Sequence, residues 1–101
     1  MSDSALGAIS PSSIVVAAND QVSSDLAGET VVLSMRSAEY YGLDEVGSRI
    51  WELVRNPIRV SAIVDAILSE YEVEPAQCES DTLAFLGRLA AGGLLEVRDG
   101  E

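Results

Sequence analysis

Residues 39–53, Glu-Tyr-Tyr-Gly-Leu-Asp-Glu-Val-Gly-Ser-Arg-Ile-Trp-Glu-Leu, constrain this chain more than any other stretch. A strand-like segment runs into an amphipathic helix with almost no loop between them. Tyr40 and Tyr41 favour a pleated surface. Asp44 is suited to accept a hydrogen bond from the free N–H groups that open a helix. Val46, Ile50, Leu53 and Val54 then recur at helical spacing. Gly47 gives up roughly 1 kcal/mol of helix propensity. Close approach of another element at that point would explain the loss.

The flanks extend the pattern in both directions. Residues 1–13 are small and polar, with Pro11, Ser12 and Ser13, and read as a flexible or loosely docked N-terminal arm. A single domain is expected over residues 14–98. Ile14-Val15-Val16 suggests a short strand, Gln21–Leu26 a second, and Glu29–Met35 the clearest one. Gly28 marks a turn, and Arg36-Ser37-Ala38 is short enough for a hairpin connection. Glu39–Leu43 then pairs back. Alternation puts Tyr41 and Leu43 on the core side, and Tyr40 and Gly42 on the other. A first helix is predicted from Asp44 to Arg55, ended by Asn56-Pro57. Val60, Ile63, Val64, Ile67, Leu68 and Tyr71 mark a second, although Arg59 is no N-cap. Pro75 suits the first position of a third. Cys78, Thr82, Phe85, Leu86 and Leu89 form its inner stripe, and Gly92-Gly93 stop it. Leu94–Val97 fits a final strand or a strap over the core.

Composition removes several function classes. The chain has 101 residues, enough for one domain with one modest core, and 48% of them are apolar. Its one cysteine, Cys78, cannot form an intramolecular disulfide and reads as a small buried hydrophobe. With no histidine and one thiol, a zinc site is not expected. No basic N-terminal region or long apolar run suggests a signal peptide or membrane span, so the cytoplasm is the expected location. The net charge is −11, with six arginines and no lysine. Such a surface repels phosphate backbones and attracts basic partners. Solubility alone is the plainer account of the charge.

The inventory of reactive groups is equally thin. The commonest general base near neutral pH is missing with histidine. No Gly-x-Ser-x-Gly setting and no Gly-rich phosphate loop occurs. Acids such as Asp65, Glu70 and Glu72 fall on predicted solvent faces. The expectation is a binding protein, not an enzyme, with no cofactor.

Tyr41-Gly42-Leu43-Asp44-Glu45-Val46-Gly47 followed by Ile50-Trp51-Glu52-Leu53 resembles the PqqD-like family, the small recognition modules of ribosomal natural-product biosynthesis. Asp44 stands where the family usually has Asn, a mild departure because both cap helices. The likeness continues through Val60–Tyr71, Asp81, Phe85-Leu86, Leu89 and Gly93-Leu94-Leu95, covering roughly residues 20–97. The length and the double Tyr look most like the free-standing B1 proteins of lasso-peptide clusters. The resemblance implies an α+β, winged-helix-like domain: a three-stranded antiparallel sheet followed by three helices. It implies that the leader region of a precursor peptide adds as a strand beside Glu39–Leu43, in a groove walled by the third helix.

Carried onto this sequence, the strand side of that groove is Glu39, Tyr40 and Tyr41, and the helix side includes Asp81 and Phe85. Each has a plainer reading: core packing for Tyr41 and partly for Phe85, cover of the open sheet face for Tyr40, a solvated face for Asp81. Leu83, on the opposite flank of the helix, is the alternative wall, and Trp51 is expected in the core. The implied partners are a leader of Tyr-x-x-Pro type and a separate cysteine-type leader peptidase, with no nucleic acid and no membrane. The alternatives are a carrier for another peptide pathway served by a radical enzyme, a winged-helix regulator, and a purely structural acidic subunit.

Overall fold

The computed structural model describes residues 9–19, 21–26 and 29–98 of the chain. The strands are β1 (Ile14–Ala17), β2 (Gln21–Leu26), β3 (Glu29–Ser34), β4 (Tyr40–Leu43), β5 (Ile58–Arg59) and β6 (Leu95–Arg98). The helices are α1 (Glu45–Leu53), α2 (Val60–Glu70) and α3 (Pro75–Ala91). The expected meander is present: β2, β3 and β4 form an antiparallel sheet in sequence order. A second three-stranded sheet, ordered β5-β1-β6, was not expected as a unit. It gathers the first strand, the final strand and a two-residue strand before α2 whose brevity leaves no pattern in the sequence.

Local chemistry explains most boundaries. Asp44 caps α1, its Oδ1 accepting from the Gly47 amide at 2.8 Å. The helix ends at Leu53, two residues before the expected Arg55, where the Val54 amide turns back to the Ile50 and Glu52 carbonyls. Glu74 caps α3 by accepting from the Gln77 amide at 2.8 Å, with Pro75 at the first helical position. The α3 C-terminus closes with the paired bonds of a Schellman motif. Gly93 N–H donates to Ala90 O at 3.1 Å and Leu94 N–H to Leu89 O at 2.9 Å. Gly93 takes φ 79°, which glycine adopts without a Cβ penalty. Leu89 and Leu94 are both buried there.

The weak start of α2 has a tertiary remedy. Arg59 makes no side-chain cap. The Val60 and Ser61 amides instead donate to the Ser13 and Pro11 carbonyls, each at 2.9 Å. Residues 9–13 of the expected arm are therefore docked, with Ser13 buried and Ile9 against the core. Residues 1–8 lie outside the described residues.

One core joins the layers. Val32 of β3, Leu43 of β4, Ile50 and Trp51 of α1, Ile63 and Ile67 of α2, and Leu86 and Leu89 of α3 are buried together with Val15 of β1. Trp51 is in the core as expected. Two polar contacts lock the β2–β3–β4 sheet onto the helices. Buried Ser34 donates to the Gly92 carbonyl at 3.2 Å, and the Thr30 amide donates to Ser48 Oγ at 3.3 Å. The sheet is therefore tied to α1 and to the close of α3.

Candidate functional site

Strand β4 pairs only with β3 among the described strands, so its other side is an edge. The Ser34 amide donates to the Glu39 carbonyl at 2.9 Å, and Val32 pairs with Tyr41 and Thr30 with Leu43. In an antiparallel ladder, backbone groups alternate between the partner and the open side. Tyr41 and Leu43 therefore turn their backbone to β3, and Tyr40 and Gly42 present theirs to the edge. An unpaired edge is a template for another extended chain. The space beside Gly42 is open: no atom lies within 4 Å of where a side chain would begin.

A groove of about 430 Å³ runs beside this edge. Gly42, Leu43 and Asp44 line its strand side, and Gln77, Asp81, Phe85 and Arg88 its α3 side. Val46, Gly47, Ile50, Ile67, Val73, Cys78 and Thr82 complete the lining, which is largely apolar. Gly47 is what lets the two sides approach. A Cβ there would meet Asp44 Oδ1 at 3.2 Å and the Phe85 ring tip at 3.4 Å. The glycine in the sequence thus answers to the third helix, as expected from its cost.

The expected site residues divide into three groups. Asp81 and Phe85 lie on the groove, so the Asp81 flank of α3 faces β4. Leu83, on the other flank, packs against the core instead. Asp81 is exposed and accepts from Gln77 Nε2 at 2.8 Å. Phe85 is half-buried, in both core and groove. Tyr41 does not line the groove; it is half-buried, its ring over Gly92 at the close of α3. Its hydroxyl donates to Glu39 Oε1 at 3.2 Å. Burial first, then this bond to a carboxylate, raise the hydroxyl pKa above the ordinary tyrosine value. Tyr40 is 74% exposed. Its register with Leu33, and Leu33's with Val22, place these three across the outer sheet face, away from α3. Tyr40 reaches the edge through its backbone and not through its ring.

Sequence reasoning missed Gln77 and Arg88. Both follow from helical spacing: Gln77 is one turn before Asp81, and Arg88 three residues after Phe85. The Arg88 guanidinium carbon lies 5.8 Å from the centre of the Phe85 ring.

An open strand edge set across a groove from a helix, on a winged-helix-like α+β frame, is the architecture of modules that take an extended peptide as an added strand. Residues 29–95 match the family model described as Coenzyme PQQ synthesis protein D (PqqD), and the chain belongs to the PqqD family. Among solved structures it is similar to TbiB1 in complex with the TbiA(beta) leader peptide. The identity is 42% and the TM-score 0.73, over 80% of this chain and 94% of that one. A lasso peptide synthetase B1 complexed with the leader peptide is 23% identical, with TM-score 0.71, over 81% of this chain and 96% of that one. The PqqD truncation of Methylobacterium extorquens PqqCD, a stand-alone recognition element, is 24% identical, with TM-score 0.74, over 95% of this chain and 99% of that one. These last two share the fold. No curated protein matches the chain.

Proposed function

We infer that this protein binds the leader region of a ribosomally made precursor peptide as a fourth strand on β4 and presents it to a separate processing enzyme. The observation that carries this reading is the unpaired β4 edge facing α3 across an apolar groove. The 42% identity to TbiB1, whose structure holds a leader peptide, supports the lasso-type leader as the substrate class. In this reading the backbone of Tyr40 and Gly42 pairs with the leader. Phe85 and Asp81 contact its side chains, and Glu39 and Tyr41 close one end. A Tyr-x-x-Pro leader would seat its apolar residues in the groove. The processing enzyme is a cysteine-type leader peptidase, this chain performs no bond chemistry, and both work in the cytoplasm.

Magnitudes show why the groove matters. Ordering five flexible residues costs on the order of 5–10 kcal/mol. Four or five backbone hydrogen bonds return about 4–5 kcal/mol net. One aromatic side chain burying about 200 Å² adds on the order of 5 kcal/mol. Strand pairing alone falls short of the ordering cost, so side-chain pockets supply both affinity and specificity. Titration calorimetry of the protein against its leader, without the core peptide, is expected to give low-micromolar or tighter binding. A scrambled leader binding equally well would refute a groove that reads side chains at fixed spacing.

A further inference from the structure

Arg88 is an unusual cation in this chain. Seventeen acids stand against six arginines, so ion-pair partners are plentiful. Arg49 pairs with Glu52 and Glu70, and Arg98 with Glu96. Arg88, exposed and in the last turn of α3, makes no ion pair among the described residues. It lies over the Phe85 ring instead, and both line the groove. Cation–π stacking restrains a long side chain that otherwise samples many rotamers. The planar guanidinium keeps its edge N–H donors for a carboxylate, which it can take in two parallel bonds.

Asp81 forms the other pole. It lies seven positions earlier on the same helix, roughly 10.5 Å along the axis. That distance spans about three residues of an extended peptide. One of its oxygens is held by Gln77. The helix wall thus carries an anion near its Gly47 end and an unpaired cation toward its Tyr41 end.

We propose that Arg88 is a specificity residue of the groove, taking the carboxylate of an Asp or Glu in the bound peptide, with Asp81 favouring a neutral or basic residue about three positions away. The proposal rests on the leader-binding reading and adds the charge pattern of the ligand. A cation near a helix C-terminus also stabilises the helix through its dipole. That structural role is indifferent to the peptide's sequence.

The test uses the TbiA(beta) leader peptide as parent probe, fluorescently labelled, each position replaced in turn by Glu, Lys or Ala. Anisotropy titrations compare wild type with Arg88→Gln and Arg88→Glu, both checked for folding by thermal melts. With wild type, one position is expected to prefer Glu over Lys by about tenfold or more, a preference that shrinks as salt rises. Arg88→Gln should level it and Arg88→Glu invert it. If Arg88→Glu does not fold, the levelling by Arg88→Gln decides the matter. A Glu preference found nowhere, or one that survives both substitutions, overturns the proposal while leaving leader binding intact. Wild-type protein that binds no peptide of the set overturns the leader-binding reading and this proposal with it.

Discussion

Gly92 and Tyr41 form a pair that no single-residue reading reveals. A methyl group at Gly92 would overlap the Tyr41 hydroxyl and lie 2.8 Å from its Cζ. Gly92 has φ −85°, so alanine suits the backbone and only the ring must move. Gly92→Ala is expected to swing Tyr41 off the end of α3, costing about 1 kcal/mol of stability through lost packing. In a Tyr41→Ala background the same substitution should cost almost nothing. Urea melts of the four proteins would show that non-additivity. Phe85 and Asp81 separate differently. Phe85→Ala should lower stability by about 2–3 kcal/mol, below the figure for a fully buried Phe, and also weaken peptide binding. Asp81→Ala should leave the melting temperature nearly unchanged and alter binding alone. Equal melting losses for both would place Asp81 in the core's support. That Asp81 and Phe85 share one flank of α3 was legible, because a spacing of four puts them there; that they belong to a groove came only from the family resemblance. Which flank faced β4 was not legible, since the rotation of α3 is set by Leu86 and Leu89 packing into a core built from distant strands.

Helices with a clear apolar period were read almost to the residue, α2 (Val60–Glu70) included, whereas what satisfies an unmarked end was not legible. Asp44, Pro75 and Gly92-Gly93 are local signals, and they sit at the helix ends where they were expected. The start of α2 is satisfied by the Pro11 and Ser13 carbonyls, some fifty residues away in sequence. The second sheet likewise exists only because the final strand returns to β1, pairing Ile14 with Arg98 and Ala17 with Leu95. Strand β4 carries the prediction at this scale. The Tyr40 and Gly42 amides are expected to exchange fast in the free protein, and those of Tyr41 and Leu43 slowly. Peptide binding should protect the fast pair, and hydrogen-exchange NMR resolves them individually. Protection confined to α2 would move the binding surface elsewhere. A second prediction concerns the joint between α1 and α2, where Arg49 grips Glu70 through two bonds at 2.8 and 2.9 Å. Those bonds lower the Glu70 pKa. A carboxyl lowered in the folded state stabilises it above its unfolded pKa, and that stabilisation fades as pH falls through the folded value. Glu70→Gln should therefore flatten the loss of melting temperature below about pH 4. The pair is exposed, so the effect is small and salt-sensitive.

At the scale of the whole molecule, charge and shape meet at one feature, the unpaired side of β4. Whatever accepts a foreign strand also invites an identical one, and the outer face beside it carries Val22, Leu33 and Tyr40 in a row. A monomer with this surface needs protection from its own copies. The net charge of −11 supplies it: two such molecules repel at ranges up to the Debye length, about 8 Å at physiological ionic strength and about 3 Å at 1 M salt. The protein is expected to sediment as a monomer at low salt and to associate reversibly as salt rises. An occupied edge should abolish that association, so a saturating leader would return the monomer. A monomer at every salt concentration would locate the protection in the four-residue shortness of β4 itself. Seen this way, the acidic surface is the shelf life of an open strand: it keeps the edge vacant until a peptide arrives.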